Sequence, residues 1–196
     1  NPERVAVGST TATATNIKQE VVQTSESDKY QQLITQVNNR TGSIIIFVKT
    51  KYGCDRLADR LARADHPATA IHGDLKQSRR DRVIQDFRNK KHRILVATDV
   101  AARGLDIPHI EHVINYDLPQ VPEDYIHRIG RTARAEADGT AYTLVSLKEQ
   151  RKFMAIEKLI GKEVTKMSIP ADLGEQPDYN AINSKPFSHN NKRKFK

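Results

Sequence analysis

The stretch Ser43-Ile-Ile-Ile-Phe-Val48 is apolar at every position after the first. A strand with one solvated face alternates apolar and polar residues, so an unbroken apolar run predicts a strand that is covered on both faces. Similar reasoning predicts strands at 17–23, 43–48, 68–71, 93–97, 111–115 and 140–146, and amphipathic helices at 28–38, 52–64, 77–89, 122–130 and 148–160. This alternation is typical of an α/β domain in which a mostly parallel sheet is flanked by helices on both faces.

The overall composition narrows the classes of partner and environment. The 196 residues contain 32 Lys and Arg against 24 Asp and Glu, and the net charge of +8 favours a polyanionic partner such as nucleic acid. The longest apolar run, 44–48, is too short to cross a bilayer, and the first residues do not resemble a secretory signal. The only cysteine, Cys54, excludes an internal disulfide. We therefore expect a cytoplasmic protein without a membrane partner.

The sequence pattern divides the chain into three segments. Residues 8–16 consist of Gly, Ser, Thr, Ala and Asn without an apolar period, which is typical of a linker. We therefore predict a linker segment at 1–16, a folded domain at 17–161 and a basic, disordered tail at 162–196. The tail would either tether nucleic acid nonspecifically or only keep the chain soluble. Its basic residues beyond Ser184 are Lys185, Lys192, Arg193, Lys194 and Lys196.

The segment that follows the fourth predicted strand forms a first candidate site, because ligands of open α/β sheets gather beyond the carboxyl ends of strands. The Thr98 hydroxyl can reach a phosphate oxygen there, and Gly104 permits a close backbone approach. Asp99 and Asp106 can accept hydrogen bonds from sugar hydroxyls or pair with Arg103. Together the four residues other than Asp99 indicate a ligand site, whereas Asp99 alone is better interpreted as a helix N-cap.

Arg80 is predicted to lie on the apolar stripe of a helix, which is formed by Val83, Ile84 and Phe87. A charge at this position must leave the core past the helix N terminus or find an anion, and helix N termini favour anions. An arginine that packs its stem and leaves its head in water explains the pattern equally well. Both interpretations stay open from this helix alone.

The segment His127-Arg-Ile-Gly-Arg-Thr-Ala-Arg134 concentrates three arginines and a histidine in eight residues, without lysine or carboxylate. On a helix, His127, Arg131 and Arg134 would share one side. Like charges stacked in this way repel each other and Gly130 weakens the helix, so we expect the helix to end near Arg131. Guanidinium groups match phosphate oxygens in geometry, which favours an anion site over a solvated face.

Familiar motifs for nucleotide and metal sites are missing from the sequence. No Gly-x-x-x-x-Gly-Lys-Ser/Thr phosphate loop occurs, because Gly161-Lys162 is followed by Glu163. No acidic cluster suited to Mg²⁺ is evident, and the histidines lack the spacing of a zinc site. The sequence therefore predicts groups that reach a nucleotide, but no loop that holds one and no metal site.

Four motifs in order make the sequence similar to the C-terminal RecA-like domain of DEAD-box RNA helicases. Ser43-Ile-Ile-Ile-Phe-Val-Lys-Thr-Lys51 resembles motif IV, Gln77-Ser-Arg-Arg80 the Gln-x-x-Arg motif, Ala97-Thr-Asp-Val-Ala-Ala-Arg-Gly-Leu-Asp106 motif V, and His127-Arg-Ile-Gly-Arg-Thr-Ala-Arg134 motif VI. The resemblance covers about residues 17–160 and implies a three-layer RecA-like fold. It departs at Ala133, where the family usually has glycine, and a methyl group there would restrict the backbone between Arg131 and Arg134.

The resemblance implies a shared ATP site. Arg131 and Arg134 would act as catalytic arginine fingers on the γ-phosphate of ATP, and Asp106 would accept a hydrogen bond from the ATP ribose. Such a finger typically accelerates phosphoryl transfer by ~10³–10⁵. The phosphate loop and the carboxylates that hold Mg²⁺ would belong to the N-terminal RecA-like domain of the same protein.

The resemblance also implies contacts with that domain and with RNA. Arg103, His127 and Arg128 would contact the N-terminal domain and couple nucleotide state to RNA. The sugar-phosphate backbone of RNA would be held by Thr50, Gly73, Arg80 and Thr98. Contacts of this kind position a strand without reading its sequence.

By the same resemblance, the parent protein would be an RNA-stimulated ATPase that unwinds or remodels RNA. The isolated chain would hydrolyse no ATP, because the phosphate loop and the DEAD box lie in the other domain. Residues 1–16 would be the interdomain linker or the end of that first domain, and the domain described here would be monomeric. A chain that begins with Asn1 rather than methionine agrees with a piece of a longer protein.

Two alternatives remain at this point. A non-catalytic RNA-binding or scaffolding domain could keep the same fold, and Arg131→Ala would then leave the ATPase rate of the full chain unchanged. A DNA helicase of the wider superfamily is the other alternative. The Gln-x-x-Arg and motif V segments argue against it, and competition between RNA and DNA would decide, since the 2′-hydroxyl distinguishes them.

Overall fold

Seven strands and six α-helices form in the part of the chain that the structure, a computed structural model, describes: residues 17–105, 107, 110–132, 139–173 and 177. The strands are β1 Lys18–Gln23, β2 Ile44–Phe47, β3 Ala68–Ile71, β4 Ile94–Ala97, β5 His112–Asn115, β6 Thr140–Val145 and β7 Thr165–Met167. The helices are α1 Lys29–Asn38, α2 Lys51–Arg63, α3 Gln77–Arg88, α4 Asp99–Ala102, α5 Pro122–Ile129 and α6 Gln150–Ile160, with short 3₁₀ turns at Leu147–Glu149 and Ala171–Leu173. Each of the six predicted strands and five predicted helices forms within two residues of its predicted ends.

The strands build one sheet in the order β3-β4-β2-β5-β6-β1-β7. All six pairings between the described strands are parallel. The apolar strand β2 lies inside the sheet, between β4 and β5, with Ile45 opposite Leu95 on one side and Val113 on the other. The predicted mostly parallel sheet is therefore confirmed, and the described part of it is parallel throughout.

Two separate apolar cores cover the two faces of the sheet. Alternate residues of β2 divide between them: Ile45 and Phe47 pack into one core, and Ile44 and Ile46 into the other. The first core takes the apolar faces of α3, α4, α5 and α6, and the second takes those of α1 and α2. A strand with both faces buried, such as β2, is therefore apolar at every position, and this pattern predicted a sheet with helices on both faces.

The sheet continues into the segment predicted as a tail. Strand β7 pairs in parallel with β1, with Glu20 opposite Thr165. The predicted disorder therefore does not hold for these residues. The three residues of β7 are all exposed, so the sequence shows no apolar pattern there. The other limits of the predicted segments stay predictions, because 1–16 and 178–196 lie outside the described residues.

A buried ion pair fastens α1 to the turn that follows β6. The Lys29 ammonium is 2% exposed and lies 2.7 Å from a carboxylate oxygen of Glu149, with Asp117 at 3.8 Å. Burial is the largest single influence on the pKa of Glu149 and would raise it, but the hydrogen bond and charge of Lys29 and the hydrogen bonds from Ser146 together outweigh burial, so the pKa falls below its usual value. The pair joins residues 120 positions apart, so it stabilises long-range packing beside the carboxyl edge of the sheet.

The single cysteine provides a direct test of this core. Burial raises the pKa of the Cys54 thiol to about 12, and its S–H donates to the Val96 carbonyl at 2.9 Å. At pH 8 only about 10⁻⁴ of such a thiol is thiolate, against roughly a quarter in an unfolded chain. We expect an aromatic disulfide reagent to modify Cys54 slowly in the native protein and rapidly in urea. Rapid modification without urea would contradict the buried position.

Candidate functional site

Three predicted ligand residues lie side by side at the carboxyl edge of the sheet. Thr50 follows β2, Gly73 follows β3 and Thr98 follows β4. These three strands are direct neighbours in the order β3-β4-β2 and run in the same direction. Because the carboxyl ends of parallel strands meet at one edge, the fold brings the three residues together there.

Each of the two threonines is the N-cap residue immediately before a helix. Thr50 is the N-cap of α2, where its Oγ1 accepts the Gly53 N–H at 3.0 Å, so its own hydroxyl hydrogen remains to be donated. Thr98 is the N-cap residue of α4, and its side chain forms no cap hydrogen bond. The N terminus of the thirteen-residue helix α2 adds a partial positive charge beside Thr50. Both hydroxyls are therefore suited to an anionic ligand.

Arg80 occupies the position that its sequence pattern predicted. Val83 and Phe87, on the same helix, are buried in the core, and the Arg80 side chain is half-buried beside them. The stem thus packs as a snorkelling arginine would. However, the Arg80 Nε–H is buried and has no acceptor among the described residues. An unsatisfied buried donor costs about 1–3 kcal/mol, and an anion at this edge would remove that cost.

Gly73 is exposed, and the domain itself leaves room for a side chain there. A Cβ atom at this position would meet only the Lys51 Cε, at 3.7 Å, which is an ordinary contact. Gly104 differs, because its φ of +72° favours glycine while no atom of the described chain lies within 4 Å of such a Cβ. Gly104 therefore serves the turn after α4, and the close approach of its backbone to a ligand stays a prediction.

Arg128 is placed differently from its predicted contact with another domain. Its guanidinium is 2% exposed and stacks on the Phe47 ring, 4.8 Å from the centroid. Its Nε and Nη2 donate to the two carboxylate oxygens of Asp99 at 2.6 and 2.7 Å. Its Nη1 donates to Asn115 Oδ1 at 3.1 Å and to the Asp117 carbonyl at 2.6 Å. Four of the five N–H groups are thus used inside the domain, so Arg128 can act on a neighbouring domain only through these partners.

Asp99 is therefore not the N-cap that its sequence position suggested. Thr98 occupies the N-cap position of α4, and the Asp99 carboxylate instead receives both hydrogen bonds of a bidentate pair with Arg128. The pair joins the segment after β4 to helix α5. A buried cation requires such compensation, and the sequence alone does not reveal which carboxylate provides it.

A small cleft at the surface gathers the other two predicted interdomain residues and one predicted arginine finger. Arg103, His127 and Arg131 line it, together with Asp99 and Asp124. His127 is exposed, on the side of α5 that faces away from the buried Ile126 and Ile129, as its helical spacing predicted. Helix α5 ends at Ile129, close to the predicted end near Arg131.

The two arginines of the cleft differ in their partners. Arg103 pairs with Asp124 through its Nη2. Of its two predicted partners, Asp99 is bound to Arg128, and Asp106 lies outside the described residues. Arg131 is half-buried, and its Nη1 donates to the Leu105 carbonyl at 3.4 Å. In this cleft the Arg103 guanidinium therefore forms an ion pair with a carboxylate, whereas the Arg131 guanidinium lies beside the backbone of the turn after α4.

Three residues of the predicted site lie outside the described residues: Asp106, Ala133 and Arg134. Their predicted roles stay predictions. Sequence reasoning also missed Asp124, Asn115 and Asp117, which are the partners of Arg103 and Arg128. Asn115 is the last residue of β5 and Asp117 follows it, so both lie at the carboxyl edge of the sheet, where the other candidate segments also lie.

The described part of the chain offers neither a metal cluster nor a membrane helix. Over the described ranges, no three His, Cys, Asp or Glu side chains come together in a way that could hold a metal ion. None of the helices that the structure describes combines the length and the apolar composition needed to cross a bilayer. The donors at the carboxyl edge are guanidinium, hydroxyl and backbone groups, which suit anions.

Comparison with known proteins identifies the domain. The profile of the helicase conserved C-terminal domain matches residues 28–136, more than half of the chain. The chain is 43% identical over 171 residues to DEAD-box ATP-dependent RNA helicase 20 of Arabidopsis thaliana, which covers 86% of this chain and 34% of that protein. A DEAD box protein from the hyperthermophile Methanococcus jannaschii matches with a TM-score of 0.75 and 42% identity over 79% of this chain and 42% of that chain. The C-terminal domain of the DEAD-box protein Dbp5 gives 0.72 and 40% over 80% of this chain and 92% of that chain.

The chain therefore belongs to the family of helicase conserved C-terminal domains. Within that family it is a C-terminal RecA-like domain of the DEAD-box type, so the resemblance drawn from its four motifs is confirmed. The chain spans about a quarter to two fifths of the length of the curated relatives it matches.

The buried pair between Arg128 and Asp99 generates a prediction about stability. Replacing Arg128 by alanine leaves a carboxylate without its partner and opens a space against the Phe47 ring. We expect the free energy of unfolding, measured by urea denaturation, to fall by about 3 kcal/mol. The neighbouring exposed residue provides the control, since His127→Ala should change it by less than about 0.5 kcal/mol. Equal effects of the two substitutions would contradict the structural role of Arg128.

Proposed function

We propose that this chain is the C-terminal half of an ATP-dependent DEAD-box RNA helicase. The observation that carries the proposal is that one edge of the sheet presents anion-directed donors, Arg80, Thr50 and Thr98, next to a cleft with Arg131. The sequence contains no phosphate loop that would hold a nucleotide on this chain. The relative in Arabidopsis thaliana is named an ATP-dependent RNA helicase, which supports the same function.

The donor set fits a nucleotide that is shared with a second domain. Bound ATP would supply the phosphoryl group that is transferred to water, with Mg²⁺ held by the N-terminal domain. Arg131 and Arg134 would stabilise negative charge on the γ-phosphate, and Asp106 would accept a hydrogen bond from the ribose. Arg131 is half-buried beside the turn after α4, so little side-chain freedom is lost when it meets a phosphate.

Coupling between the two domains would pass through the cleft. His127 and Arg103 would contact the N-terminal domain, since His127 is exposed and Arg103 keeps a side chain that is 59% exposed despite its pair with Asp124. Arg128 would act as a positioning residue, because it links Asp99 to the helix that carries His127. Domain closure would then present Arg131 to the nucleotide, and opening would withdraw it.

One RNA strand would lie along the carboxyl edge. The hydroxyls of Thr50 and Thr98, the backbone at Gly73 and the Arg80 guanidinium would contact successive phosphates. These groups recognise charge and shape, so the domain would hold RNA with little base preference. A protein of this kind would act in the cytoplasm and as a monomer, as the sequence led us to expect.

Removal of one finger tests the catalytic proposal. In the protein that joins this chain to its N-terminal domain, Arg131→Ala should lower the RNA-stimulated kcat for ATP hydrolysis by ~10³–10⁵. Arg131→Lys should not restore the rate, because an ammonium lacks the planar fork of a guanidinium. The measurement is steady-state phosphate release with saturating RNA.

The measurement on Arg131→Ala needs two controls. Arg151→Ala removes an exposed arginine from α6 and should leave kcat unchanged, and the 196-residue chain alone should hydrolyse no ATP. An unchanged rate for Arg131→Ala would favour the non-catalytic scaffold instead, and robust hydrolysis by the isolated chain would overturn the shared site.

Salt dependence tests the RNA contact of Arg80. We expect Arg80→Ala to weaken binding of single-stranded RNA about tenfold, because a charge-assisted hydrogen bond to phosphate is lost. The slope of log K against log salt should fall by about 0.7, whatever the RNA sequence. Fluorescence anisotropy of the 196-residue chain with labelled RNA measures both.

The matched control for Arg80 is Arg88→Ala, which removes an arginine from the last turn of the same helix. That end of α3 points to the opposite edge of the sheet, so the substitution should leave the salt slope unchanged. Equal effects of the two substitutions, or a loss that depends on RNA sequence, would contradict the proposed role.

A further inference from the structure

Tyr52 is the most exposed large apolar side chain in the described part of the chain. It is 76% exposed, and Val100 follows at 75%, whereas the next such residue, Met154, is at 51%. Single exposed apolar residues are common on protein surfaces and need no function. The position of these two residues, however, is not random with respect to the proposed RNA edge.

Both residues lie at the start of helices that leave the carboxyl edge. Tyr52 is in the first turn of α2, two positions after Thr50, and Val100 is in α4, two positions after Thr98. The strands that precede them, β2 and β4, are hydrogen-bonded neighbours. Helices α2 and α4 belong to opposite faces of the sheet, so the two apolar side chains stand on either side of the edge that carries the hydroxyls.

The direction of a helical side chain places the Tyr52 ring near that edge. Side chains on a helix tilt towards its N terminus, and the N terminus of α2 is where Thr50 caps the helix. A side chain in the first turn of α2 therefore tilts towards the end of the helix at which Thr50 stands. A strand whose phosphates contact Thr50 would have its bases within reach of the ring.

Every other tyrosine of the described chain has a partner. Tyr30 hydrogen-bonds to the Arg60 carbonyl and lies under its guanidinium, and Tyr125 hydrogen-bonds to Gln19. Tyr116 and Tyr142 lie beside the cationic groups of Lys29 and Arg40. Tyr52 has no ring contact or hydrogen bond among the described residues. Among the described tyrosines, the Tyr52 ring is therefore the one whose faces are open to a ligand.

The charges around Tyr52 favour a polyanionic ligand over an apolar protein surface. Two lysines, Lys49 and Lys51, come shortly before Tyr52 in the chain. The Lys51 ammonium forms an exposed ion pair with Asp74. Exposed ion pairs contribute only about 0–1 kcal/mol, so phosphate can compete for Lys51. Aromatic rings set among cations are typical of single-stranded nucleic-acid sites, where bases stack and phosphates are neutralised.

We propose that the Tyr52 ring is a stacking platform for one unpaired base of the bound RNA strand. The inference rests on the proposed function and extends it, since the other predicted contacts are all to the sugar-phosphate backbone. Stacking accepts any base, because every base has a π-face, and adenine offers a larger face than uracil. The domain would thus hold unpaired RNA, whose bases are free, more tightly than a paired strand.

The absence of tryptophan from the sequence makes a clean reporter possible. Tyr52→Trp gives the 196-residue chain a single indole at the proposed platform. We expect its emission to fall on addition of oligoadenylate and to remain constant on addition of an abasic strand of the same length. Met154→Trp, on the exposed side of α6, is the matched control and should respond to neither.

Binding measurements separate the base from the phosphates. Tyr52→Ala should weaken binding of end-labelled oligoadenylate about 5- to 10-fold, the lower part of the range for one stacked base. It should leave binding of the abasic strand and the salt slope unchanged, since no charge is removed. Tyr52→Phe keeps the ring and should bind as the unchanged chain does, and urea denaturation verifies that each variant is folded.

The outcomes distinguish this inference from the function on which it rests. A rise in anisotropy with oligoadenylate, but constant emission of Trp at position 52 and an unaffected Tyr52→Ala variant, would overturn the stacking platform and leave the phosphate contacts intact. Equal loss of oligoadenylate and abasic binding in Tyr52→Ala would also overturn it. No rise in anisotropy with either strand would overturn the RNA contact of this chain itself.

Discussion

The site depends on one buried ion pair, between the Arg128 guanidinium and the Asp99 carboxylate. The pair connects the segment after β4 with helix α5, and the same guanidinium also holds Asn115 and the Asp117 carbonyl at the end of β5. Three segments far apart in sequence are thus fixed around one cation. Because an unpaired buried charge is so costly, these segments keep a single arrangement, and the exposed residues next to them inherit fixed positions.

This arrangement explains how neighbouring residues of one helix divide their work. His127 and Arg128 are adjacent in sequence, yet one is exposed at the cleft and the other is buried on Phe47. The buried arginine orients the helix, and the exposed side chains around it remain available to a partner. The residues of this positively charged segment thus differ in placement, with Arg128 inside the domain and His127 at its surface, although they look equivalent in the sequence.

The fold could be predicted from the sequence because its strands are covered on both faces. Unbroken apolar runs such as Ile44–Phe47 have few alternatives to a buried strand, and the helices between them show clear apolar stripes. Strand β7 was not predicted because the three residues Thr165–Met167 are all exposed and pair with β1 through the backbone, so they show no apolar pattern. The positions of Thr50, Gly73 and Thr98 followed from strand direction alone. The partners of Arg128 and Arg103 could not be predicted. Periodicity shows on which side of a helix a residue lies, but it does not show which distant carboxylate pairs with that residue.

The location of β1 between β6 and β7 has a consequence for how the chain acquires its structure. Strand β1 pairs Lys18 with Thr140 and Glu20 with Thr165, so its neighbours are the two strands that come last along the described part of the chain. During translation, Val21 and Val22 must stay uncovered while almost the whole domain emerges, and closing so long a loop carries an entropic cost that is recovered only at the end. Completion of the sheet is therefore a late event, and until then the two valines of β1 lack the neighbouring strands that flank them in the folded domain.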